Sequence, residues 1–590
     1  MPTFTPLTPL FEVMRDPSAH EIISEEIPEL AANPILHTLY HYPLGLILGT
    51  EERLLGDAAR RAEILAKITA LDPDHATHAN NKPVRNQPRN DYEPESVPAG
   101  SAPARFPDTA AKWAAFEIEL DGPGHGNPFT DVELWAEFTR RGAKHKVQTL
   151  KVPGFYDGDG TYRIRLFVPE SGTWSFTTFS NARSLAGITG TFEAGAAASR
   201  GIVRVAEQFH FAYDDGAPHL PIGTTSYVWN HQGDALEDKT LASLANGPFN
   251  KMRMCVFPKS YLFNENEPDI YPYEASLDEG FDYLRPNPAF WAHLEHRIDQ
   301  LEELGIEADL ILFHAYDRWG FSTMGPDADD LFVKYAVARL ASKRNIWWSL
   351  ANEYDLLFDK DTADWERFAD IVTANDPNGH LLSIHNCREF YDHSRPWVTH
   401  CSIQRQDIYK TSEMTTDWRK QYGKPIVIDE CAYEGNIDQG WGNITGEEMT
   451  RRFWEGAMRG GYVGHGETYM DPADVLWWAK GGELKGTSPD RIGFLRRILE
   501  ESPGGRLEPL PGHWDAVSAG TKDDYEVIYF GFNQPTYRRF VKPQDVAFEV
   551  DIIDTWNMTV ETLEGTYSGR FRVELPGRQF IALRLRAVGS

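Results

Sequence analysis

The spacing of apolar residues divides the chain into segments with different predicted structures. Residues from about 10 to 72 carry apolar side chains at helical spacing, most clearly from 51 to 68, and predict a helical segment. A polar, proline-rich stretch from 72 to 107 predicts an irregular connector. From Ala111 the period changes to two, and about six short strands separated by Gly, Pro and Asp turns predict an antiparallel, immunoglobulin-like β-sandwich.

A repeated alternation of strands and helices begins near residue 203. Eight apolar strand segments alternate with helical segments, which is the pattern of a (β/α)₈ barrel. A doubly wound open sheet is the alternative, but no Gly-x-Gly-x-x-Gly turn follows any of these strands. The predicted barrel strands are 220–223, 251–256, 307–313, 345–350, 381–383, 399–403, 425–428 and 461–464.

The period of two returns near residue 507 and predicts a small C-terminal β domain. The predicted fold is therefore multidomain, with a TIM barrel flanked by a sandwich and a small β domain. We place the helical segment at 1–75, the connector at 76–108, the sandwich at 109–202, the barrel at 203–505 and the C-terminal domain at 506–590.

The net charge and the cysteine positions limit which partners and which cellular compartment we expect for the protein. The net charge of −30 argues against nucleic acid and against an anionic membrane surface as partners. The N-terminus has no basic region followed by an apolar core, and no apolar run approaches membrane-spanning length, so we expect a cytoplasmic protein. Four cysteines without Cys-x-x-Cys spacing or a paired His motif predict buried free thiols in a reducing cytoplasm and no zinc site. We also expect no other cofactor.

Two of the predicted barrel strands end in a glutamate. The run Ile346-Trp347-Trp348-Ser349-Leu350-Ala351 leads into Asn352-Glu353, and the run from 425 to 428 leads through Asp429 into Glu430. A carboxyl group at the end of a buried strand lies beside apolar walls, so its pKa can rise and it can donate a proton near neutral pH. We interpret these two glutamates as the groups that the fold is built to present.

Other polar and aromatic residues follow the same strands. In a (β/α)₈ barrel the reactive residues lie at the carboxyl ends of the strands, and here they are carboxylates, amides, imidazoles and aromatics without a phosphate-binding loop. Such groups suit a carbohydrate, whose hydroxyls bind amides and carboxylates and whose C–H faces stack on rings. The predicted substrate-binding residues are Tyr227, Trp229, Arg253, His314, Asn352, His385, Asn386, Gln404, Tyr433, His465, Glu467 and Trp478.

The sequence resembles a known group at this point. Asn352-Glu353 after the fourth strand and Glu430 after the seventh resemble the signature of retaining glycoside hydrolases of clan A, and the domain order from 110 to 590 resembles their apiosidase-like branch. The resemblance implies that Glu353 is the general acid/base and Glu430 the nucleophile. It also implies that Asn352 binds the hydroxyl beside the anomeric carbon and that Arg253 keeps Glu430 ionised.

Several alternatives remain open. The barrel could be a non-catalytic carbohydrate-binding scaffold, or a metal-dependent hydrolase or lyase, and Glu467 is the main rival of Glu430. Extra loops at 260–286 and 471–489 favour exo action on a small glycoside or oligosaccharide. The helical segment predicts a contact between copies of the chain, hence a homo-oligomer, with a lid over the pocket as the alternative.

Overall fold

The computed structural model describes residues 4–31, 42–50, 58–71, 88–141, 147–276, 280–405, 407, 409–511 and 513–588. Parts of the predicted segments lie outside the described residues: 1–3, 32–41, 51–57 and 72–75 of the helical segment, 76–87 of the connector, 142–146 of the predicted sandwich and 277–279 of the extra loop at 260–286. The described N-terminal helices are Leu10–Arg15, Pro17–Glu26, Pro28–Ala31, Leu44–Thr50 and Ala58–Thr69.

The N-terminal helices pack on the face of the barrel where the strands end. Leu10, Ile23 and Ile64 are completely buried and belong to one apolar cluster that also contains aromatic residues of the barrel loops. The His20 and Phe358 rings lie 5.8 Å apart, and Phe358 follows the fourth barrel strand. The segment therefore covers the carboxyl ends of the barrel strands of its own chain.

The β-rich region after the connector forms two facing layers. The strand Val147–Tyr156 pairs with Leu134–Arg141 along one layer and with Thr161–Phe167 along the other. The Phe116 and Phe192 rings stack at 3.8 Å between the layers. The strands are Ala104–Arg105, Thr109–Lys112, Ala115–Asp121, Leu134–Arg141, Val147–Tyr156, Thr161–Phe167, Gly172–Ser180 and Thr189–Ala197, with the helix Pro128–Asp131 and the 3₁₀ turn Arg183–Leu185 between them.

Buried ion pairs join this region to the barrel. Asp157, at the turn between two strands, accepts a hydrogen bond from Arg339 of a barrel helix at 2.6 Å. Arg339 also pairs with Glu295 at 2.7 Å, and Glu295 pairs with Arg165 of the strand layer at 2.8 Å. Each of these charges therefore has a partner of opposite sign, which offsets part of the cost of burying it.

The predicted (β/α)₈ barrel is confirmed. Eight parallel strands follow one another in chain order around the sheet, and the last pairs with the first. A bridge between His385 and Ser402 joins the fifth and sixth strands and completes the ring. The strands are Gly223–Thr225, Lys251–Cys255, Glu307–Phe313, Ile346–Ala351, Leu382–Ser383, Cys401–Gln404, Ile426–Glu430 and Tyr462–His465.

Helices cover the barrel on the outside and are absent between the fifth and sixth strands, where residues 385–400 are irregular. The helices are Asp234–Asn246, Pro288–Glu303, Pro326–Leu340, Thr362–Asn375, Thr415–Tyr422, Gly446–Met458, Trp477–Lys480 and Ser488–Glu500. The 3₁₀ turns are Trp229–His231, Tyr354–Leu356, Ser412–Met414, Gly440–Gly442 and Pro503–Gly505.

Smaller sheets flank the barrel. The three-stranded sheet Val203–Ala206, His210–Tyr213 and Pro218–His219 covers the amino end, where Phe211 packs on Trp347 at 5.0 Å. Tyr273–Ser276 pairs with Gly280–Pro286, and Glu434–Gly435 pairs with Glu467–Thr468.

The C-terminal strands are Val517–Thr521, Tyr525–Tyr529, Tyr537–Val541, Phe548–Asp554, Thr559–Thr562, Arg570–Glu574 and Ile581–Ala587.

The four cysteines all lie within the barrel region and are buried, and none of them forms a disulfide. Among the helices that the structure describes, none combines the length and the apolarity needed to cross a bilayer. The burial of the thiols agrees with the expectation from their positions in apolar stretches.

The barrel interior contains charges. Lys251 and Arg253 are two residues apart on one strand, so both side chains point inward, and each is 1% exposed. The Lys251 Nζ lies 2.5 Å from Asp309 and 2.8 Å from Asp429. Arg253 Nη1 lies 3.2 Å from the same Asp309 oxygen and 3.9 Å from Asp429. Two cations and two anions therefore balance one another out of contact with water.

We predict that Lys251→Met destabilises the barrel by about 3–5 kcal/mol, because it leaves two buried carboxylates with one cation between them. Urea unfolding followed by tryptophan fluorescence measures the loss. Lys239→Met is the control, since Lys239 is half exposed, pairs with the exposed Glu483 and is expected to change stability by about 0–1 kcal/mol. Equal effects of the two substitutions would contradict the prediction.

Candidate active site

Glu353 lies directly beyond the fourth strand in a left-handed backbone conformation. Its φ of 52° and ψ of 55° are unusual for a residue with a side chain and cost about 1–2 kcal/mol. Backbone hydrogen bonds hold the turn, because the Tyr354 N–H donates to the His385 carbonyl at 2.9 Å and the His385 N–H donates to Ala351 at 3.1 Å. The turn leaves the Glu353 side chain at the barrel mouth, where the residue is 7% exposed.

Three side chains donate hydrogen bonds to the Glu353 carboxyl group. The Tyr316 hydroxyl and the Asn352 amide, at 3.3 Å, bind Oε2, and the Gln404 amide binds Oε1 at 2.8 Å. Burial raises the pKa of Glu353, and the nearby Glu430 carboxylate raises that pKa further. Tyr316, Lys259 and Gln404 oppose the rise without cancelling it. Glu353 is thus suited to hold a proton at a pH where an exposed glutamate has lost it.

Glu430 is the last residue of the seventh strand and has a different environment. The Tyr227 hydroxyl donates a hydrogen bond to its Oε1, and His385 Nε2 lies 3.5 Å from the same oxygen. Burial by itself raises the pKa of Glu430. The contact with His385, the Tyr227 hydrogen bond and the Arg253 charge outweigh burial and lower the pKa to about 2.

His385 connects Glu430 to the charged interior of the barrel. Its Nδ1 lies 3.0 Å from the Ser402 hydroxyl, which in turn donates to Asp429. Because that hydroxyl has given its only proton to Asp429, its oxygen accepts from His385 Nδ1–H. The other ring nitrogen faces a carboxylate. Each ring nitrogen of His385 therefore faces an oxygen atom, and Nε2 is the nitrogen that reaches Glu430.

Asn352 and Arg253 link the two glutamates. Arg253 Nη2 donates to the Asn352 oxygen at 3.1 Å, and the Tyr227 hydroxyl lies 3.4 Å from that oxygen. Asn352 thus accepts from Arg253 and donates to Glu353, while Tyr227, whose only proton goes to Glu430, lies against the same Asn352 oxygen. Arg253 makes its ion pairs inside the barrel, and His385 has the larger effect on the pKa of Glu430.

Aromatic side chains line the space around these groups. The Trp478 ring lies 5.4 Å from Tyr227 and 6.1 Å from Tyr433, each of which is buried. Its neighbour Trp477 points the other way and donates to Thr224 at 2.8 Å. The structure thus brings together seven predicted site residues around the two glutamates, namely Tyr227, Arg253, Asn352, His385, Gln404, Tyr433 and Trp478.

Three other predicted residues support this group or lie outside it. The Asn386 amide donates to the Gln404 carbonyl at 3.1 Å and so positions that residue. His314 contacts the Phe257 carbonyl at 3.3 Å, and burial lowers its pKa to about 3, which makes it a neutral structural histidine. Trp229 is fully buried in the main barrel core and does not reach the glutamates.

His465 and Glu467 form a separate group with Glu434, in which potential metal-ligand atoms lie within 4.8 Å of one another. The surrounding backbone already satisfies much of this group. Thr487 and Ser488 donate to Glu434 at 2.7 and 3.0 Å, and the Lys485 N–H donates to Glu467 at 2.7 Å. These carboxylates anchor the loop that follows the eighth strand. A second such group, Asp234, Glu237 and His293, lies on the barrel exterior with Arg297 bound to its carboxylates.

Three residues of the site were absent from the predicted set. Tyr316 and Lys259 lie in loops after the third and second strands, and Ser402 lies inside the sixth strand. The positional rule for barrel rims covers the two loop residues, but it gives no reason to prefer them over their neighbours. Ser402 carries no sequence signal, because its role depends on Asp429 and His385 from other strands.

A (β/α)₈ barrel with two buried glutamates at the ends of its fourth and seventh strands is an arrangement typical of enzymes that hydrolyse glycosidic bonds. The model of the apiosidase-like catalytic domain matches residues 206–489. A crystal structure of a candidate glycoside hydrolase from Bacteroides vulgatus ATCC 8482 is 38% identical to this chain, with a TM-score of 0.77, and the match covers 82% of this chain and 100% of the other. The chain therefore belongs to the glycoside hydrolases with an apiosidase-like catalytic domain.

Further comparisons describe the fold and the flanking regions. A glycoside hydrolase family 5 protein from the same organism matches with a TM-score of 0.53 at 14% identity, covering 66% of this chain and 94% of the other, which shows a shared fold. Two domains of unknown function, DUF5060 and DUF5605, match residues 109–181 and 514–586. No curated protein matches the chain. The resemblance to the glycoside hydrolases and the assignment as an enzyme are confirmed.

We predict that His385→Asn shifts the acid limb of the kcat/KM profile for glycoside hydrolysis to higher pH by about 1–3 units. His385 lowers the pKa of Glu430, so replacing the imidazole raises that pKa, and Glu430 becomes protonated at a less acidic pH. The pH dependence of kcat/KM measures the shift. His296→Asn, at an exposed helix position, is the control. An unchanged acid limb in His385→Asn would show that the histidine does not set the charge of Glu430.

Proposed function

We propose that this chain is a retaining glycoside hydrolase in which Glu353 is the general acid/base and Glu430 is the nucleophile. The observation that carries the proposal is the opposite environment of the two carboxyl groups. The pKa of Glu353 is raised by burial and by Glu430, whereas the pKa of Glu430 is lowered to about 2 by His385, Tyr227 and Arg253. A retaining pair needs this division between a proton donor and an ionised nucleophile.

The first step joins the sugar to the enzyme. A Glu430 oxygen attacks the anomeric carbon, the glycosidic C–O bond breaks, and Glu353 gives its proton to the departing oxygen. Loss of that proton leaves Glu353 as a carboxylate. Tyr227 releases its hydrogen bond to the attacking oxygen or shares it with the sugar, and the Asn352 amide faces the same space.

The second step releases the sugar. The Glu353 carboxylate takes a proton from water, the water oxygen attacks the anomeric carbon, and the bond to Glu430 breaks. Both glutamates return to their starting protonation states, and the two inversions give net retention. Because one residue acts first as acid and then as base, its pKa must follow the charge of Glu430, and the electrostatic coupling of the pair provides this.

We predict that Glu430→Ala abolishes hydrolysis and that sodium azide restores turnover of an aryl glycoside by giving a glycosyl azide. Azide occupies the space left by the carboxylate and attacks from the same side, so the product has the opposite anomeric configuration. Proton NMR of the azide product measures that configuration.

Glu467→Gln is the matched control, because Glu467 also follows a barrel strand but binds the Lys485 backbone. It is expected to keep the azide-independent activity. Full activity of Glu430→Ala would end the assignment of the nucleophile. Loss of activity without an azide product would favour an inverting mechanism.

We further propose exo action on a small glycoside or oligosaccharide. The support is the N-terminal helical segment, whose buried residues form one apolar cluster with Tyr227, Tyr261 and Trp478 of the pocket wall. A long polymer chain needs an open groove across the barrel mouth, and these helices occupy part of that face. Their packing on their own chain supports a lid in preference to a contact between copies.

We predict that loosening this segment changes the preferred substrate length. Ile23→Asp places a charge in a fully buried position of the segment, and we expect the ratio of kcat/KM for a tetrasaccharide to that for a disaccharide to rise several-fold. Chromatography of the products measures both rates. Glu21→Lys on the same helix is exposed and serves as control. An unchanged ratio in Ile23→Asp, with increased protease sensitivity of the segment, would contradict the lid.

A further inference from the structure

Lys259 places an ammonium group among the aromatic residues of the site. It lies four residues beyond the second barrel strand, Lys251–Cys255, and is 4% exposed. Its Nζ faces four rings, at 3.7 Å from the Tyr227 centroid, 4.1 Å from Tyr316, 4.7 Å from Trp478 and 5.5 Å from Tyr261. In the part of the chain that the structure describes, no carboxylate lies within ion-pair distance of this nitrogen, and the rings are its close contacts.

The four rings also contact one another. Tyr227 meets Trp478 edge to face at 5.4 Å, Trp478 meets Tyr261 at 5.6 Å, and Tyr261 meets Tyr316 at 5.3 Å. They form a continuous wall around the ammonium group. A shift of any one ring therefore changes the position of its neighbours and of the charge.

Two of these four rings hold the two glutamates. The Tyr227 hydroxyl donates to Glu430, and the Tyr316 hydroxyl donates to Glu353. Burial and the adjacent carboxylate raise the pKa of each phenol well above its usual value, so both remain donors. A cation over the face of a phenol withdraws electron density from the ring and makes its hydroxyl a stronger donor. Lys259 thus lies one ring away from each carboxyl group.

We propose that Lys259 is a positioning residue for glycoside hydrolysis: its ammonium group holds the Tyr227 and Tyr316 rings, and through their hydroxyls it orients Glu430 and Glu353. The inference rests on the proposed function of the two glutamates. Neither glutamate needs to touch Lys259 for the effect. The lysine adds one positive charge to a site with two carboxyl groups. One tyrosine side chain lies between the ammonium group and each of them, Tyr227 for Glu430 and Tyr316 for Glu353.

The cost of burying the charge supports this role. An apolar side chain of similar length would fill the same space without the desolvation penalty of an ammonium group. Burial lowers the pKa of Lys259, against the opposing effects of Cys255, Glu353 and Glu430. The charge lies between the two tyrosines that donate to the carboxyl groups. It therefore contributes to the electrostatics of the site, since packing of the loop does not require it.

The test compares Lys259→Met, which removes the charge, with Lys259→Arg, which keeps it. The substrate is the one that the wild-type protein hydrolyses fastest in a panel of 4-nitrophenyl glycosides. We expect Lys259→Met to lower kcat by about tenfold to a hundredfold with little change in KM, because misplaced groups slow the chemical step. We also expect the alkaline limb of the pH profile to move to higher pH, since Lys259 lowers the pKa of Glu353. Lys259→Arg should keep the wild-type limb.

A double-mutant cycle separates positioning from packing. Tyr316→Phe keeps the ring under the ammonium group and removes the hydroxyl that binds Glu353. If Lys259 acts through that hydroxyl, Lys259→Met lowers kcat much less in the Tyr316→Phe background, whereas the shift of the alkaline limb, which comes from the charge of Lys259 on Glu353, persists. Additive losses of kcat in the double variant, or a wild-type kcat and pH profile in Lys259→Met, would overturn the proposal. Lys334→Met, at an exposed helix position, is the control.

Glu430→Gln is measured in the same series. Wild-type activity in that variant would refute the proposed function itself, whatever Lys259 does. An inactive Glu430→Gln together with an unaffected Lys259→Met would refute only the role of the lysine. Should Lys259→Met unfold, Lys259→Gln provides a neutral, polar replacement for the same pH profile, and circular dichroism checks the fold of each variant.

Discussion

The balanced charges inside the barrel determine the geometry of the site. Lys251 and Arg253 project inward from one strand and meet Asp309 and Asp429 from two others. In an interior without water the attraction between such charges is strong because no solvent screens it, so the relative positions of the four side chains are fixed. On one side, Arg253 donates a hydrogen bond to Asn352 and so fixes the position of that amide. On the other side, Asp429 holds the Ser402 hydroxyl, Ser402 holds His385, and His385 lies against Glu430.

The two glutamates have the same side chain and opposite tendencies because their neighbours differ. Glu430 lies beside an imidazole and within the field of an arginine, which stabilise its ionised form. Glu353 is buried and lies near a second carboxylate, and both effects favour its protonated form against the hydrogen bonds that Tyr316 and Gln404 donate. The N-terminal helices cover this region and reduce its contact with water, which strengthens each of these interactions.

The flanking domains leave the barrel mouth accessible to the N-terminal segment. The strand layers before the barrel attach to its helices through Arg165, Glu295 and Arg339. The C-terminal domain attaches on the outside as well, where Arg584 pairs with Glu501 at 2.6 Å and Tyr529 packs on Trp454 at 5.4 Å. Both attachments are made to the outer helices of the barrel, so the surroundings of the two glutamates depend on the barrel loops and on the N-terminal helices.

The sequence by itself determined the barrel and the place of its two glutamates. Buried parallel strands are continuous apolar runs, which a sequence shows directly. The predicted strand at 307–313 therefore coincides with Glu307–Phe313, and the end of such a strand marks the rim of the barrel. Only the tertiary structure decided what surrounds the glutamates. Lys259, Tyr316 and Ser402 gain their roles from partners on other strands, and a single loop or strand residue has no period to reveal it. The position of the N-terminal helices was likewise open, because an apolar helix face shows that it is buried but not against which surface.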